Sequence, residues 1–266
     1  MNRNFYIEVN SRQRNHDGER ICGDVFLYKS IKEEDRVIAV LSDGMGHGVK
    51  ANILATLTST MALNFTREHK EVDRIAEIIM NTLPVCSERK ISYSTFTIVE
   101  IESSGKATIL EYDNPQAIIL RGSQAFDPGW NKVVLEKGLH AGKVLETCSF
   151  MPEKEDRIIF FSDGVAQSGM GSDAYPFGWE RDNVLSYASK LVSSEASISA
   201  AMLAGMGLTE SNMLSGTTAA PPATMSTTIV SPMARAMPRM TAVDMPERAA
   251  GMTIRTMVSY FVAPRA

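Results

Sequence analysis

Three aspartates lie beside short apolar segments, where their carboxylates could bind a divalent cation. They are Asp43 after the run 37–41 in VLSDGMGHG, Asp163 after the run 158–161, and Asp24 in CGDVF before another apolar stretch. An isolated buried charge is too costly to keep, so each carboxylate must be solvated, hydrogen-bonded or bound to a metal. Hard cations such as Mg²⁺ take several oxygen ligands. The three acids together indicate a metal site, although Asp-Gly at any single position is more often a simple turn.

Helices are predicted in the chain both before and after Asp163. Apolar residues recur every four positions over 49–65, which predicts a helix that packs on a sheet through the stripe of Ile53, Leu57, Met61 and Phe65. A second helix is predicted over about 70–83, before a proline, and a weakly marked third within 182–202.

The predicted strands are grouped together rather than separated one by one by helices. Short apolar or alternating runs at 95–101, 107–112 and 117–120 are separated by turn residues, which is typical of an antiparallel meander. Two further apolar strands, 37–41 and 157–161, each end in Ser-Asp-Gly. This grouping favours an α+β domain over a parallel βαβ sheet.

Composition excludes several classes of protein. The 266 residues are 44 % hydrophobic and 22 % charged, as in a globular chain with a sizeable core. A formal charge of −4 and a pI of about 5.7 predict no nucleic-acid partner and no attraction to anionic membranes. Three cysteines without a CxxC pair indicate neither a disulfide framework nor a zinc site. With no apolar run of signal-peptide or membrane-span length, a cytoplasmic protein is expected.

Three segments of the chain resemble one enzyme family. They are Cys22-Gly23-Asp24, Asp43-Gly44-Met45-Gly46-His47-Gly48 leading into a predicted helix, and Phe161-Ser162-Asp163-Gly164. They are similar to the metal-dependent (PPM-type) serine/threonine protein phosphatases, in particular the bacterial branch typified by stage II sporulation protein E. The resemblance covers roughly 15–205. It implies an αββα sandwich of two antiparallel sheets flanked by helices, and phosphatase activity on phosphoserine or phosphothreonine of a protein in bacterial signalling.

The resemblance also implies a set of ligands. Asp43 would bridge two ions, Mg²⁺ or Mn²⁺, while Asp24 and the Gly44 carbonyl complete one site and Asp163 binds the other. Two such ions about 4 Å apart can activate a water and neutralise the phosphoryl oxygens, so no side-chain nucleophile is needed.

Two nearby residues allow other chemistry. Cys22 could indicate a cysteine-dependent phosphatase, but the Cys-x5-Arg phosphate loop is absent, and packing is the better interpretation. His47 lies between two glycines and could act as an acid or a ligand. Solvation or capping of the turn is favoured, because oxygen ligands already suit a hard metal.

The resemblance ends in the last quarter of the chain. We divide the sequence into a phosphatase domain, 1–206, and an atypical tail, 207–266, which holds eight of the sixteen methionines and is rich in Ala, Thr and Pro. The acidic element that family members carry on a late strand is absent, so the last strand of the sandwich and one ligand of the Asp163 metal site are expected to be missing. The tail is either a low-complexity segment or the product of a shifted reading frame, since Gly216-Thr217-Thr218 in another frame could encode Asp-Asp.

Two functions follow from these features. The first is a phosphoprotein phosphatase impaired by its C-terminus. The alternative is a catalytically inactive phosphatase-like module that binds a phosphoprotein or a regulatory partner.

Overall fold

The computed structural model describes residues 7–15, 19–69, 72–82, 94–135, 141–195, 198–200, 202–203 and 225–232, the last segment by its backbone. The strands among them are β1 (Ile7–Arg14), β2 (Asp24–Ile31), β3 (Arg36–Gly44), β4 (Ser94–Ile101), β5 (Ala107–Tyr112), β6 (Ile118–Arg121), β7 (Gln124–Ala125), β8 (Asn131–Val134), β9 (Val144–Phe150), β10 (Arg157–Phe161) and β11 (Met225–Pro232). The helices are α1 (Gly48–Arg67), α2 (Val72–Thr82), α3 (Asp163–Ala166) and α4 (Glu180–Ser194).

The strands form two antiparallel sheets. The first sheet has the order β1-β11-β10-β6-β7, and the second has the order β2-β3-β4-β5-β9-β8. Helices α1 and α2 pack on the outer face of the second sheet, and α3 and α4 pack on the outer face of the first. The architecture is the expected α+β sandwich of two antiparallel sheets between helices.

Both central apolar strands are buried on two faces, which explains their unbroken hydrophobic runs. On β3, Val40 lies in the cluster beneath α1 and α2, whereas Leu41 lies in the cluster between the sheets. On β10, Phe160 faces the other sheet and Phe161 packs with α4. Because side chains alternate along a strand, a strand in the middle of a sandwich must be apolar at every position.

Helix α1 forms where the sequence predicts it, but the predicted packing face is correct only for its second half. The residues buried against the sheet include Ala51, Ala55 and Ala62, whereas Ile53 and Leu57 are 61 % and 44 % exposed. Small side chains let the helix approach the sheet closely. The hydrophobic period alone selects the larger residues, of which Ile53 and Leu57 face solvent whereas Met61 and Phe65 are partly buried against the cluster beneath α1 and α2.

The predicted meander is correct for only two of its three strands. β4 and β5 pair in the second sheet, with Ile98 opposite Leu110. β6 instead joins the first sheet, where Ile119 lies opposite Ile158 of β10. Asp113 and the residues after it carry the chain from one sheet to the other.

The prediction that the segment after 206 adds no strand to the sandwich is wrong for β11. This strand lies between β1 and β10, with Val230 opposite both Val9 and Ile158. The four consecutive β-branched residues in MSTTIVSP suit a strand despite the composition of the surrounding segment. The domain boundary at 206 stays a prediction, but the sheet draws one strand from beyond it.

No helix in the described part of the chain is both long enough and apolar enough to span a bilayer.

Candidate metal centre

Asp24 and Asp43 lie side by side at one end of the sandwich. They are directly opposed in the β2–β3 register. Phe26 and Leu41, two residues from each of them, pack between the sheets. Because the side-chain period of a strand is two, both carboxylates also point to the side that faces the first sheet. The apolar space between the sheets therefore ends in a pair of acids.

Asp163 approaches the same place from the first sheet. It is the first residue of α3, directly after β10. The preceding Ser162 donates a hydrogen bond from Oγ to Asp24 Oδ2 at 2.8 Å, which links the two sheets. Gln167, one turn later, donates from Nε2 to Asp163 Oδ2 at 2.9 Å. The two Ser-Asp-Gly segments thus meet across the sandwich.

Asp43 lies between the other two carboxylates and is hydrogen-bonded to both Asp24 and Asp163. Loss of solvent, followed by the negative charges of Asp24 and Asp163, raises the pKa of Asp43 well above its ordinary value. Asp24 is buried, Asp43 is half-buried and Asp163 is exposed. The structure therefore brings all three predicted acids together, in a group that opens to solvent at Asp163. We call this group the acid triad.

The loop after Asp43 contains glycines, which lack a side chain, for steric reasons. A Cβ on Gly44 would lie 2.0 Å from the Ala51 carbonyl oxygen of α1. Gly48 begins α1 at φ +71, and a Cβ there would meet the Glu19 carboxylate at 2.7 Å. His47, which precedes the helix, is exposed, and its Nδ1 lies 2.6 Å from Glu19 Oε1. The glycines thus allow β3 to turn tightly into α1 beside the acid triad.

The donor chemistry of the acid triad fits a hard divalent cation. All its ligand atoms are carboxylate oxygens, and three acids in one place need a compensating positive charge. Within the described residues, no group of three or more His, Cys, Asp and Glu side chains has its ligand atoms placed closely enough to hold a metal ion as it stands, so the acid triad would have to adjust its side chains to bind one.

Comparison with known families agrees with the fold. The family model described as stage II sporulation protein E (SpoIIE) matches residues 33–210, about two thirds of the chain. The chain belongs to the SpoIIE family. The matched range contains Asp43 and Asp163, and Asp24 lies just before it. The comparison with curated proteins gives no match.

Solved structures of SpoIIE-type domains share the fold. The PP2C phosphatase domain of SpoIIE from Bacillus subtilis, with a fragment of its regulatory domain, superposes with a TM-score of 0.67 at 15 % identity over 87 % of this chain. This chain spans 63 % of that one. A crystal form of the B. subtilis phosphatase domain without domain swapping gives 0.62 at 14 % identity, covering 92 % of this chain and all of that one.

A third match is a structure with a bound metal. RsbX in complex with magnesium has a TM-score of 0.55 at 19 % identity, and the match covers 85 % of this chain and 96 % of that one. At these identities the similarity of all three structures establishes the PP2C-type fold of this SpoIIE family member.

The β5–β6 connection adds polar residues that the sequence analysis treated only as a turn. Burial, and then the charge of Asp163, raise the pKa of Asp113, which has a left-handed backbone at φ +57. Next to it, Asn114 accepts a hydrogen bond from Thr95 and donates one to Thr97. Thr95 lies opposite Asp43 in the sheet. The Asp-Asn-Pro sequence alone predicts a turn, and nothing in the sequence indicates that this turn lies close to Asp43.

Glu111 is the second acid that sequence reasoning missed. It is 2 % exposed on β5, and both of its carboxyl oxygens accept from the Ala117 backbone N–H, at 3.1 and 3.2 Å. Burial raises its pKa to about 8, outweighing the opposite effects of the hydrogen bonds from Ala117 and Thr97. Glu111 therefore holds the β5–β6 connection in place while keeping its proton near neutral pH.

We expect Glu111→Gln to stabilise the protein increasingly as the pH rises from about 5 to 8. The native state holds a proton on Glu111 that the unfolded chain releases near pH 4.5, so native stability falls by up to about 1.4 kcal/mol per pH unit in this window. Glutamine never ionises and removes that loss. Urea denaturation at pH 5, 6.5 and 8 measures the difference.

Glu33→Gln, at an exposed position, is the control for this experiment and should leave the pH dependence unchanged. A stability difference between Glu111→Gln and the wild type that is the same at all three pH values would show that Glu111 ionises normally in the folded protein.

Proposed function

We propose that the protein is a metal-dependent serine/threonine phosphoprotein phosphatase that uses the acid triad as a two-metal centre. Asp43 would bridge two Mg²⁺ or Mn²⁺ ions, Asp24 and the Gly44 carbonyl would complete one site, and Asp163 would bind the other. The observation that carries this proposal is the position of Asp43 beside two other carboxylates, Asp24 and Asp163, whose charges together with burial raise the pKa of Asp43. Membership of the SpoIIE family and the PP2C-type fold support it.

The reaction is the hydrolysis of a phosphoserine or phosphothreonine ester, which releases the free hydroxyl and inorganic phosphate. When bound, the two ions supply a more acidic water as nucleophile and neutralise charge on the transferring phosphoryl group. Ser162 holds Asp24 and Gln167 holds Asp163 in their orientations. The glycine loop lets β3 turn tightly into α1, which fixes the position of Asp43 at the end of the strand.

The proposal includes a weak second site. β11 runs beside β10 but its sequence, MSTTIVSP, contains no acid, so it brings no carboxylate towards Asp163. The ion at Asp163 would then have one protein ligand fewer than the family pattern implies. We infer that this ion binds weakly and that turnover is low at low metal concentration.

We expect the purified protein to hydrolyse p-nitrophenyl phosphate only when Mg²⁺ or Mn²⁺ is present, and with a rate that continues to rise at high metal concentration. Removal of the metal with EDTA should abolish the activity, and an excess of metal should restore it. Metal titration of the initial rate checks both expectations. Binding of a phosphothreonine peptide without any turnover, at any metal concentration, would favour the inactive binding module instead.

A further inference from the structure

The connection between α3 and α4 exposes two large apolar side chains near the acid triad. We call residues 168–178, SGMGSDAYPFG, the rim loop. Its Phe177 is 75 % exposed, more than any other large apolar side chain in the described residues, and Met170 is 42 % exposed. A contact that removes such an exposed aromatic ring from water is favourable, because it buries apolar surface.

The rim loop is held in one shape by its own hydrogen bonds. Gly171 N donates to Pro176 O at 3.3 Å, which closes the middle of the loop and brings the backbone of Met170 close to that of Phe177. Gly178 N donates to Tyr175 O at 3.1 Å, and the Tyr175 side chain packs against the core beneath α4. A ligand that binds this preformed surface loses little conformational entropy.

The rim loop is continuous with the acid triad. A Cβ on Gly178 would lie 2.5 Å from the Ala166 carbonyl oxygen and 2.8 Å from Gln167 Cα, so the loop backbone packs directly against the end of α3. Gln167 in turn donates to Asp163, the exposed acid of the triad. Phe177 is therefore next in sequence to Gly178, whose backbone contacts Gln167, and Gln167 orients Asp163.

We propose that Met170 and Phe177 form a docking site for an apolar side chain next to the phosphorylated residue of the substrate protein. This inference rests on the proposed phosphatase function. A phosphoserine or phosphothreonine bound at the acid triad places its chain neighbours over the surrounding surface, and the rim loop is part of that surface. The rim loop contains Asp173 and no lysine or arginine, so it disfavours acidic neighbours and offers apolar contact instead.

Three substrates separate docking from chemistry. Two are phosphothreonine peptides of equal length, one with leucines and one with asparagines on both sides of the phosphothreonine, and the third is p-nitrophenyl phosphate, which has no chain neighbours. We expect wild-type kcat/KM to be about tenfold higher for the leucine peptide than for the asparagine peptide, as burial of one apolar side chain allows. Phe177→Ala should remove this preference and leave the other two substrates unchanged.

Two control variants make the test specific. Phe177→Leu keeps an apolar surface and should retain most of the preference. Met151→Ala removes a methionine that is 50 % exposed, against 42 % for Met170, from the segment after β9 and should change nothing. An equal loss on all three substrates in Phe177→Ala, or no difference between the two peptides in the wild type, would overturn the proposal.

The test also works if the protein proves inactive. In that case the same two peptides, carrying a fluorophore, are titrated with the protein and followed by fluorescence anisotropy. Tenfold tighter binding of the leucine peptide, lost in Phe177→Ala, supports the docking site even though the proposed hydrolysis has failed. Equal binding of both peptides overturns it.

Discussion

Asp43→Asn is expected to lower metal-dependent phosphatase activity by at least about 100-fold. Loss of a residue that only supports a metal ligand costs up to about 100-fold in affinity or activity, and loss of a ligand itself should cost at least as much. The asparagine amide has the shape of the carboxylate but lacks its charge, and a neutral amide cannot bridge two cations as a carboxylate does. The rate of p-nitrophenyl phosphate hydrolysis at saturating Mn²⁺ measures the effect.

The same substitution should stabilise the metal-free protein near neutral pH. Burial and the charges of Asp24 and Asp163 raise the pKa of Asp43, so the wild type loses stability as the pH rises and this carboxyl is forced to ionise. The variant avoids that loss, and its melting temperature in EDTA should exceed that of the wild type at pH 7 but not at pH 3. Asp182→Asn, with a side chain that is 90 % exposed, is the matched control. Full turnover by Asp43→Asn would exclude the bridging role.

Gly44→Ala is expected to destabilise the fold by about 3 kcal/mol or more, because there is no room for a methyl group. Its Cβ would lie 2.0 Å from the Ala51 oxygen and 2.6 Å from the carbonyl carbon, both backbone atoms of α1 that cannot rotate away. The helix would have to move off β3, and the Asp43 end of the strand would move with it. The free energy of unfolding from urea titration measures the loss.

Gly46→Ala is the control for this substitution. Gly46 has a left-handed backbone at φ +95, but a Cβ there would meet nothing within 4 Å. It should cost only the conformational strain of alanine, about 1 kcal/mol. If Gly44→Ala proves no more destabilising than Gly46→Ala, the close approach of β3 and α1 is not what requires glycine.

The two buried strands and the helix that follows Asp43 are predictable because their signals are local. The run before Asp43 is apolar at every position, and β3 is buried on both faces. The four-residue period over 49–65 marks α1 correctly. The period does not show which face of α1 meets the sheet. Ala51 and Ala55 lie on that face because the helix approaches β3 closely at Gly44, and this contact exists only in the folded protein.

Sheet membership is the part of the fold that local pattern does not determine. β6 resembles the strands before it, yet it pairs with β10 some 40 positions later rather than with β5. β11 comes from a segment of unusual composition and is recognisable only by its partners, β1 and β10. Both strands pair with residues that are distant in sequence, and the local pattern of one sequence does not identify such partners.

The acid triad was predictable because two identical Ser-Asp-Gly segments end buried strands and one more acid precedes a third. Asp113 and Glu111 were not, because their importance comes from position alone. Asp113 lies in an ordinary turn sequence and is brought near Asp163 by the crossing between sheets. Glu111 is one acid in a mainly apolar strand, and its burial shows only in the folded protein.

Anomalous diffraction from crystals grown with Mn²⁺ tests the two-metal proposal most directly. The predicted result is two manganese peaks about 4 Å apart, with Asp43 between them, Asp24 on one ion and Asp163 on the other, and the peak at Asp163 the weaker. Manganese bound only at other acids, or no anomalous peak in contact with Asp43 at saturating Mn²⁺, would contradict the assignment of the acid triad as the metal centre.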